Sequence, residues 1–452
     1  MSNDQRQGFL TIPSDGNFRL VNARVPICLL SAGGVAADSQ GLAHVDILIE
    51  NGKIGSVAAM GGMTLDAGLA QVDARGSIVL PRLVDIHTHL DKGFIWARTP
   101  NPDGTFTGAL ESAGADREAH WSTEDLARRM DFGLRCALAH GTGAIRTHLD
   151  SIDKQTAITW PVFAEMRQNW QGIIALQATS LFVIDMVLDD EAQFREIVAT
   201  TARYEGNLGC VTFNGGPSSE RTDAALDRIF QAAIREGLDL DFHVDESNSR
   251  DARTLERVAD AAIRNRFPNK LLCGHCCSAS LLEDVELSRL IDKLAQARIA
   301  VVSLPMCNMY LQDRESGRTP HWRGVAPLHE FKAAGIPVMV ASDNTRDPFY
   351  AYGDLDMLEV FREATRIAHL DHSGNDWLRT IAATPADIMN LDRHGRVEAG
   401  DPADLVITHA RSMNELVSRP QSDRVVLVSG RAIDTTPPDY AELDALSAHR
   451  FS

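Results

Sequence analysis

The sequence predicts an α/β fold in which a (β/α)8 barrel of the TIM type is joined to a small β-sandwich domain. Short apolar runs recur eight times through the middle of the chain, and segments with helical periodicity separate most of them. Near-continuous apolar strands that alternate with helices are typical of a parallel sheet, and eight such units close a barrel. The eight runs are Leu83–His87, Ala144–Leu149, Ile173–Thr179, Leu208–Phe213, Leu238–His243, Leu271–His275, Ile299–Ser303 and Pro337–Ala341.

Both ends of the chain carry short strands and turns instead. Strand patterns occur near the start and return near the end, at Phe18–Val21, Val45–Ile49, Ala403–Ile407 and Arg424–Val428. The simplest interpretation is one β-sandwich domain built from both ends, with the barrel inserted between them. We therefore predict the sandwich at residues 1–76 and 395–452 and the barrel at residues 77–394.

The helices of the predicted barrel are indicated by apolar residues at helical spacing, as at Glu124–Ala139, Thr222–Glu236, Asp251–Arg264 and Ser280–Gln296. The segment after the first barrel strand differs, because it opens with Asn-Pro-Asp-Gly at residues 101–104 and is rich in glycine and small residues to about Gly114. We predict a long loop here, at the mouth of the barrel, where it could serve as a lid.

Composition and charge narrow the class of protein. The 452 residues, 44% of them hydrophobic, suffice for a large barrel with an accessory domain. A net charge of −18 argues against nucleic acid as a general partner. The sequence shows neither a signal peptide nor an apolar run of the roughly 20 residues that span a membrane. With an odd count of 7 cysteines, this predicts a cytoplasmic protein, and a homo-oligomer stays open by analogy with other large barrels.

The candidate site centres on His87-Thr88-His89, at the end of the first barrel strand. Residues two apart in a strand point the same way, so both imidazoles can reach one cation. His243 and Asp343 lie at other strand ends, and the active sites of such barrels form where strands end. Imidazoles and a carboxylate are usual ligands for Zn²⁺ or Fe²⁺, so we predict that these four residues hold one divalent metal ion. The ion would lower the pKa of a bound water molecule towards about 7.

Two further residues are candidates for the chemistry. Glu246 follows His243 by three residues, where a carboxylate could move a proton from water to a ring nitrogen or a leaving amine. The alternative is a glutamate favoured by a helix N-terminus. His275 ends the sixth strand and could hold the attacking hydroxide or polarise the substrate. Its alternative is a hydrogen-bonded core histidine.

Two other segments have a structural interpretation. The segment Cys273–Cys277 resembles half of a zinc knuckle, but no second pair with finger spacing follows it. Buried structural cysteines are therefore favoured. The segment Arg146–Asp150 ends the second strand with several polar groups, and a structural or supporting role is favoured over direct chemistry.

Quoted together, these segments resemble the amidohydrolase superfamily, specifically its cytosine deaminase branch. The resemblance runs from about residue 10 to residue 435 and rests on motifs at residues 80–91, 141–150, 241–246, 308–314 and 342–350. It implies that His87, His89, His243 and Asp343 hold the metal, with Asp343 also acting as a base. It further implies that Glu246 shuttles a proton and that His275 orients the hydroxide. The fourth strand offers no lysine for carboxylation, which favours one metal ion.

Three positions depart from the cytosine deaminase pattern, and all concern the substrate. Val183 stands where those enzymes carry a glutamine, Asn344 replaces a second aspartate, and Phe349 replaces a tryptophan. A site that reads a polar ring edge loses discrimination without its hydrogen-bond donor, which argues against cytosine itself. Lys92, just past the metal histidines, could meet a substrate carbonyl or carboxylate, with a structural lysine as the alternative.

The predicted function is metal-dependent hydrolytic deamination of an amino-substituted N-heterocycle, a cytosine-like pyrimidine or a pterin. Two alternatives stay open. The first is a hydrolase of cyclic amides or N-alkylamino triazines on the same metal, because residues 89–92 and 342–347 are also similar to N-isopropylammelide amidohydrolases. Those relatives lack the glutamate found here at Glu246, which favours deamination. The second is a non-catalytic metal-binding or scaffold protein that has kept the barrel.

Overall fold

The computed structural model describes residues 6–7, 9–31, 33–63, 68–212 and 219–447, and it has the α/β class that the sequence predicts. The strands are β1 (Arg6–Gln7), β2 (Leu10–Thr11), β3 (Phe18–Pro26), β4 (Leu42–Glu50), β5 (Lys53–Ala59), β6 (Ala70–Asp73), β7 (Val79–Pro81), β8 (Leu83–Thr88), β9 (Thr142–Asp150), β10 (Ala175–Leu181), β11 (Leu240–Val244), β12 (Leu271–His275), β13 (Ile299–Ser303), β14 (Val338–Val340), β15 (Leu405–Ile407), β16 (Val425–Val428) and β17 (Arg431–Ala432). The α-helices are α1 (Phe106–His120), α2 (Thr123–Ala139), α3 (Asp153–Asn169), α4 (Met186–Asp189), α5 (Glu191–Arg203), α6 (Glu220–Glu236), α7 (Thr254–Asn265), α8 (Asp284–Ala297), α9 (Pro305–Leu311), α10 (Leu328–Ala333), α11 (Met357–Ala368), α12 (Ala383–Ile388), α13 (Met413–Ser418) and α14 (Asp444–Ser447). Among the described residues, no helix combines the length and apolar character needed to span a bilayer.

Parallel pairing organises the middle of the chain. Strands β8, β9 and β10 form one parallel sheet, and β11 to β14 form another. Isolated parallel bridges join the two sheets at both edges. Thr88 pairs with Asp343 at one edge, and residues 207–211 lie between β10 and β11 at the other. Because parallel strands share a direction, their carboxyl ends meet at one face, and the candidate site residues lie there.

The fourth predicted strand, Leu208–Phe213, is not a regular strand within its described part, since only single bridges form at Leu208 and Val211. The hydroxyl of Ser180 explains the difference. It accepts a hydrogen bond from the N–H of Gly209 (3.1 Å) and donates one to the carbonyl of Gly209 (3.2 Å). These are the backbone groups that a continuous ladder would use. Phe213 itself lies outside the described residues.

The two ends of the chain form two four-stranded sheets, β5-β4-β3-β6 and β17-β16-β15-β7. Buried side chains from both sheets, including Ile47 of β4 and Leu405 of β15, belong to one apolar cluster. Strand β7 pairs with β15 in antiparallel fashion, so the chain leaves these sheets after residue 81. The boundary predicted at residue 76 stays a prediction, and the pairing of β7 with β15 favours a boundary after residue 81.

The prediction of a loop after the first barrel strand is wrong from residue 106 onwards, because helix α1 begins there. The hydroxyl of Thr105 caps this helix by accepting a hydrogen bond from the N–H of Gly108 (3.0 Å). The carboxylate of Asp103 in turn accepts hydrogen bonds from the N–H and hydroxyl of Thr105. The Asn-Pro-Asp-Gly sequence is therefore the turn that starts a helix, and small residues such as Ala109 and Ala113 form its buried side.

Candidate active site

The four residues predicted as metal ligands converge at the carboxyl ends of the strands. His87 lies at the end of β8 and His89 just past it, His243 lies in β11, and Asp343 follows β14. Their side chains are buried. The Nε2 atoms of His87 and His89 lie 3.6 and 3.2 Å from Asp343 Oδ1. His243 Nε2 lies 3.2 Å from His89 Nε2. The four side chains therefore surround one small volume.

Burial sets the protonation of these groups. Desolvation, helped by neighbouring positive charge, lowers the pKa of His87, His89 and His243 well below the ordinary histidine value. Neutral imidazoles keep the lone pair that a metal ion binds. Burial also raises the pKa of Asp343 to about 7.

Several atoms of this group lack a partner. His87 Nε2 and both carboxylate oxygens of Asp343 make no hydrogen bond within the part of the chain that the structure describes. Buried polar atoms are nearly always satisfied, so such a group calls for an explanation. Ligand atoms of His87, His89 and Asp343 all lie within 4.8 Å of one another, and a divalent cation between them would satisfy all three. The residues therefore fit the predicted metal ion.

Glu246 and His275 adjoin these four residues, and we call all six the central cluster. Glu246 Oε1 lies 3.5 Å from His275 Nδ1, which is 4.0 Å from Asp343 Oδ2. Burial and the nearby Asp343 raise the pKa of Glu246 well above its ordinary value. Burial lowers the pKa of His275 to about 3. A carboxyl group that holds a proton beside a neutral imidazole is suited to acid–base chemistry.

Two residues outside the predicted set also contact the central cluster. His148 Nε2 lies 3.1 Å from His87 Nδ1. This contact agrees with the structural or supporting role predicted for residues 146–150. Asn308 of α9 contacts both Glu246 and His275. The strand-end position of His148 is a signal for its role. Asn308 follows the seventh strand, and its sequence neighbours give no indication of its two partners.

Lys92 is buried and its ammonium lies 2.7 Å from Asp150 Oδ1. Burial opposes the charged form of Lys92, but attraction from Asp150 and Asp91 outweighs it and raises the pKa of the ammonium. Arg117 of α1 binds the other oxygen of Asp150 at 3.0 Å. The ion pair agrees with a structural role for Lys92. Lys92 also lines the cavity, so contact with a substrate stays the alternative.

The residues of the central cluster other than His87 line a cavity of about 620 Å³. The remaining predicted substrate residues, Val183, Asn344 and Phe349, line this cavity. Val183 is 45% exposed and offers no hydrogen bond from its side chain. The amide nitrogen of Asn344 donates to Asp347 Oδ2 (2.7 Å), and its oxygen accepts a hydrogen bond from the Cys307 thiol (3.9 Å). These residues and the cavity side of α1 are called the outer wall below.

Helix α1 supplies a large part of the outer wall that the sequence did not indicate. Phe106, Leu110 and Arg117 line the cavity, and the first two are exposed there. A helix presents residues spaced three and four apart on one face, which explains how these side chains share a surface. The lid predicted for residues 101–114 stays a prediction, and the segment that would form it includes the first half of helix α1.

The segment Cys273–Cys277 follows its structural interpretation. Its three cysteines are buried, and burial raises the pKa of each thiol well above the ordinary value. Protonated thiols are poor metal ligands and poor nucleophiles. The one residue of this segment that belongs to the central cluster is His275.

Comparisons with known proteins agree with this arrangement. Residues 184–433 match the amidohydrolase family. The chain is 49% identical over 438 residues to a pterin deaminase from Rhizobium rhizogenes, covering 97% of this chain and 98% of that protein. It is 25% identical to the N-isopropylammelide isopropyl amidohydrolase of Pseudomonas sp. strain ADP, covering 80% and 87% of the two chains. The chain thus belongs to the amidohydrolase family, and it is a hydrolase that acts on carbon–nitrogen bonds.

A solved structure has a similar fold. The crystal structure of 5-methylcytosine deaminase from Klebsiella pneumoniae is similar to this chain with a TM-score of 0.76 and 23% sequence identity. The similarity covers 93% of this chain and 98% of the other. This similarity supports the predicted fold. The resemblance to the amidohydrolase superfamily is confirmed by the family match and by the pterin deaminase relative, and the non-catalytic alternative is not supported.

Proposed function

We propose that this protein removes the exocyclic amino group of a pterin-type bicyclic heterocycle by hydrolysis and releases ammonia. The observation that carries the proposal is its identity of 49% to a pterin deaminase over nearly the full length of both chains. The cavity of about 620 Å³ lies within the range of roughly 300–1,000 Å³ found for small-molecule sites. The apolar side chain of Val183 offers no hydrogen bond to a polar ring edge, which is consistent with a substrate other than cytosine.

His87, His89, His243 and Asp343 are the residues proposed to hold one divalent ion, Zn²⁺ or Fe²⁺. When bound, such an ion lowers the pKa of a water molecule and supplies a nucleophile near neutral pH. The neutral state of the three imidazoles and the unpartnered oxygens of Asp343 support this assignment.

The protein's own groups then move the protons. Asp343 accepts a proton from the attacking water, and His275 orients that water. Glu246 delivers a proton to the ring nitrogen beside the amino-bearing carbon, so that the carbon becomes tetrahedral without a charge on the ring. Asp343 then gives its proton to the amino group, which leaves as ammonia, and Glu246 takes the hydroxyl proton as the carbonyl forms on the ring. The raised pKa of Glu246 supports its role as the acid.

The alternative is hydrolysis of a cyclic amide or an N-alkylamino triazine at the same site. The relationship to the N-isopropylammelide enzyme favours it. The presence of Glu246 favours deamination instead, because the resemblance implies that the N-isopropylammelide relatives lack this glutamate, and its place 3.5 Å from His275 suits it to protonate a ring nitrogen.

One screen decides between these reactions. The purified, metal-analysed protein is assayed for ammonia with pterin, cytosine, 5-methylcytosine, isocytosine, isoguanine and triazines. We expect the highest kcat/KM with pterin. Alkylamine or a ring-opened product would support the alternative, and metal-loaded protein that turns over none of these compounds would contradict both.

We also propose the finer organisation of the molecule. The parallel sheets and their bridges support a closed (β/α)8 barrel at residues 82–394, and the apolar cluster shared by the two terminal sheets supports a β-sandwich. The revised sandwich would span residues 1–81 and 395–452. The net charge of −18 supports a protein without a nucleic-acid partner. The odd number of cysteines supports a cytoplasmic location.

A further inference from the structure

Asn308 joins two members of the central cluster that come from different strands. It lies in α9, after β13, and its side chain is fully buried. Its amide nitrogen lies 3.0 Å from Glu246 Oε1 and 2.9 Å from His275 Nδ1. Both distances are those of ordinary hydrogen bonds. An amide nitrogen has two hydrogens, so Asn308 can donate to both partners at once.

The orientation of this amide follows from what each choice leaves unpaired. With the nitrogen between Glu246 and His275, Oδ1 is the one atom of the Asn308 amide that lacks a hydrogen-bond partner among the described residues. Exchanging nitrogen and oxygen would leave two N–H donors unpaired instead, which is the rarer and costlier arrangement in a buried site. The arrangement with the nitrogen between the two residues is therefore favoured.

We propose that Asn308 is a positioning residue that sets the tautomer of His275 and the orientation of Glu246. A donor at Nδ1 requires that this nitrogen carry the lone pair, so the single proton of the neutral ring lies on Nε2. His275 Nε2 makes no hydrogen bond in the described part of the chain, so its N–H would be available to a bound water molecule or substrate. The same amide anchors Oε1 of Glu246 and leaves Oε2 for proton transfer. This inference rests on the proposed function.

Substitutions of Asn308 separate hydrogen-bond donation from simple filling of space. Asn308→Ala should lower kcat about 10- to 100-fold, the usual cost of losing a partner that orients a catalytic group, with KM changed less than about threefold. Asn308→Asp keeps the shape but can donate at most one hydrogen bond, and it faces Glu246 with a second carboxyl group. It should therefore be less active than Asn308→Ala. A role in packing alone predicts the opposite order, and that order would overturn the inference.

A matched control is Asn207→Ala. Asn207 is also buried and its amide donates to the Ala178 carbonyl and the Thr179 hydroxyl, away from Glu246 and His275. This variant should lose stability and keep its kcat. All variants should bind the wild-type amount of metal, which removes loss of the ion as an explanation. Equal loss of kcat in both alanine variants would contradict a specific role for Asn308.

Nitrogen-15 NMR of the zinc-loaded protein tests the tautomer without any turnover. The His275 signals, assigned by their loss in His275→Asn, should show an unprotonated Nδ1 and a protonated Nε2 in the wild type. Asn308→Ala should alter this pattern. A protonated Nδ1 in the wild type would refute the inference. Wild-type protein that deaminates no heterocycle but shows the expected tautomer would refute the proposed function and leave the role of Asn308 standing.

Discussion

The central cluster and the outer wall are two parts of one cavity with opposite relations to the cytosine deaminase pattern. The central cluster is predicted to match that pattern at all six positions. Its residues lie in or just after the strands, and all are buried except Glu246, which is partly buried. The outer wall departs from it at Val183, Asn344 and Phe349 and adds a helix that bears exposed apolar residues. The difference supports the proposal that the residues at the strand ends set the reaction, whereas the residues around the outer part of the cavity set the choice of ring.

The strongest way to break this comparison is to remove a residue of the central cluster. His243→Ala should lower kcat/KM by about 1,000-fold or more, because the loss of a predicted metal ligand removes several kcal/mol of transition-state stabilisation. Metal content should fall in parallel. The control is His372→Ala, whose ring is almost fully exposed and should have no effect. Full activity with intact metal in His243→Ala would mean that the ion is not held here.

Lys92 lies between the two parts, and its replacement shows which of them it serves. Lys92→Met leaves the buried Asp150 with Arg117 as its remaining cation and should cost about 3 kcal/mol of stability. Urea unfolding provides the measurement. The exposed pair of Lys154 and Glu118 supplies the control, since Lys154→Met should cost less than about 1 kcal/mol. Unchanged stability together with a raised KM would instead make Lys92 a substrate residue.

Glu246→Gln tests the proton transfer within the central cluster. It should lower kcat by a factor on the order of 100, equivalent to about 2.7 kcal/mol, and leave the metal content unchanged. The glutamine can still accept a hydrogen bond from Asn308, so the fold of the site should persist. The exposed Glu236→Gln is the control. Retention of full activity in Glu246→Gln would rule out the proposed acid.

The smallest effect is expected in the outer wall. Val183→Gln restores the residue type of the cytosine deaminases and should raise the ratio of kcat/KM for cytosine to that for pterin by about tenfold, the value of roughly one hydrogen bond. Metal content and kcat for pterin should change little. Val285→Gln, at an exposed position outside the cavity, is the control. An unchanged ratio would show that Val183 does not read the ring.

The central cluster could be predicted because alternation along a strand and position at a strand end are local properties. Both His87 and His89 follow from them. The fourth strand could not, because the hydroxyl of Ser180 comes from a neighbouring strand and takes the backbone groups of Gly209. Asn308 was missed for the same reason, since its partners belong to two other strands. Helix α1 was mistaken for a loop because turn residues at 101–104 also serve as a helix start.

The bridge between Thr88 and Asp343 has a consequence for how the site comes into being. The backbone N–H of Asp343 donates to the carbonyl of His87 (2.9 Å), so the carboxylate meets the histidine pair only where the two outermost strands of the ring come together. A nascent chain presents its histidines early but gains the acidic partner only after most of the polypeptide has emerged. For the proposed metal site, binding of the ion and completion of the tertiary structure would therefore be linked, and each would favour the other.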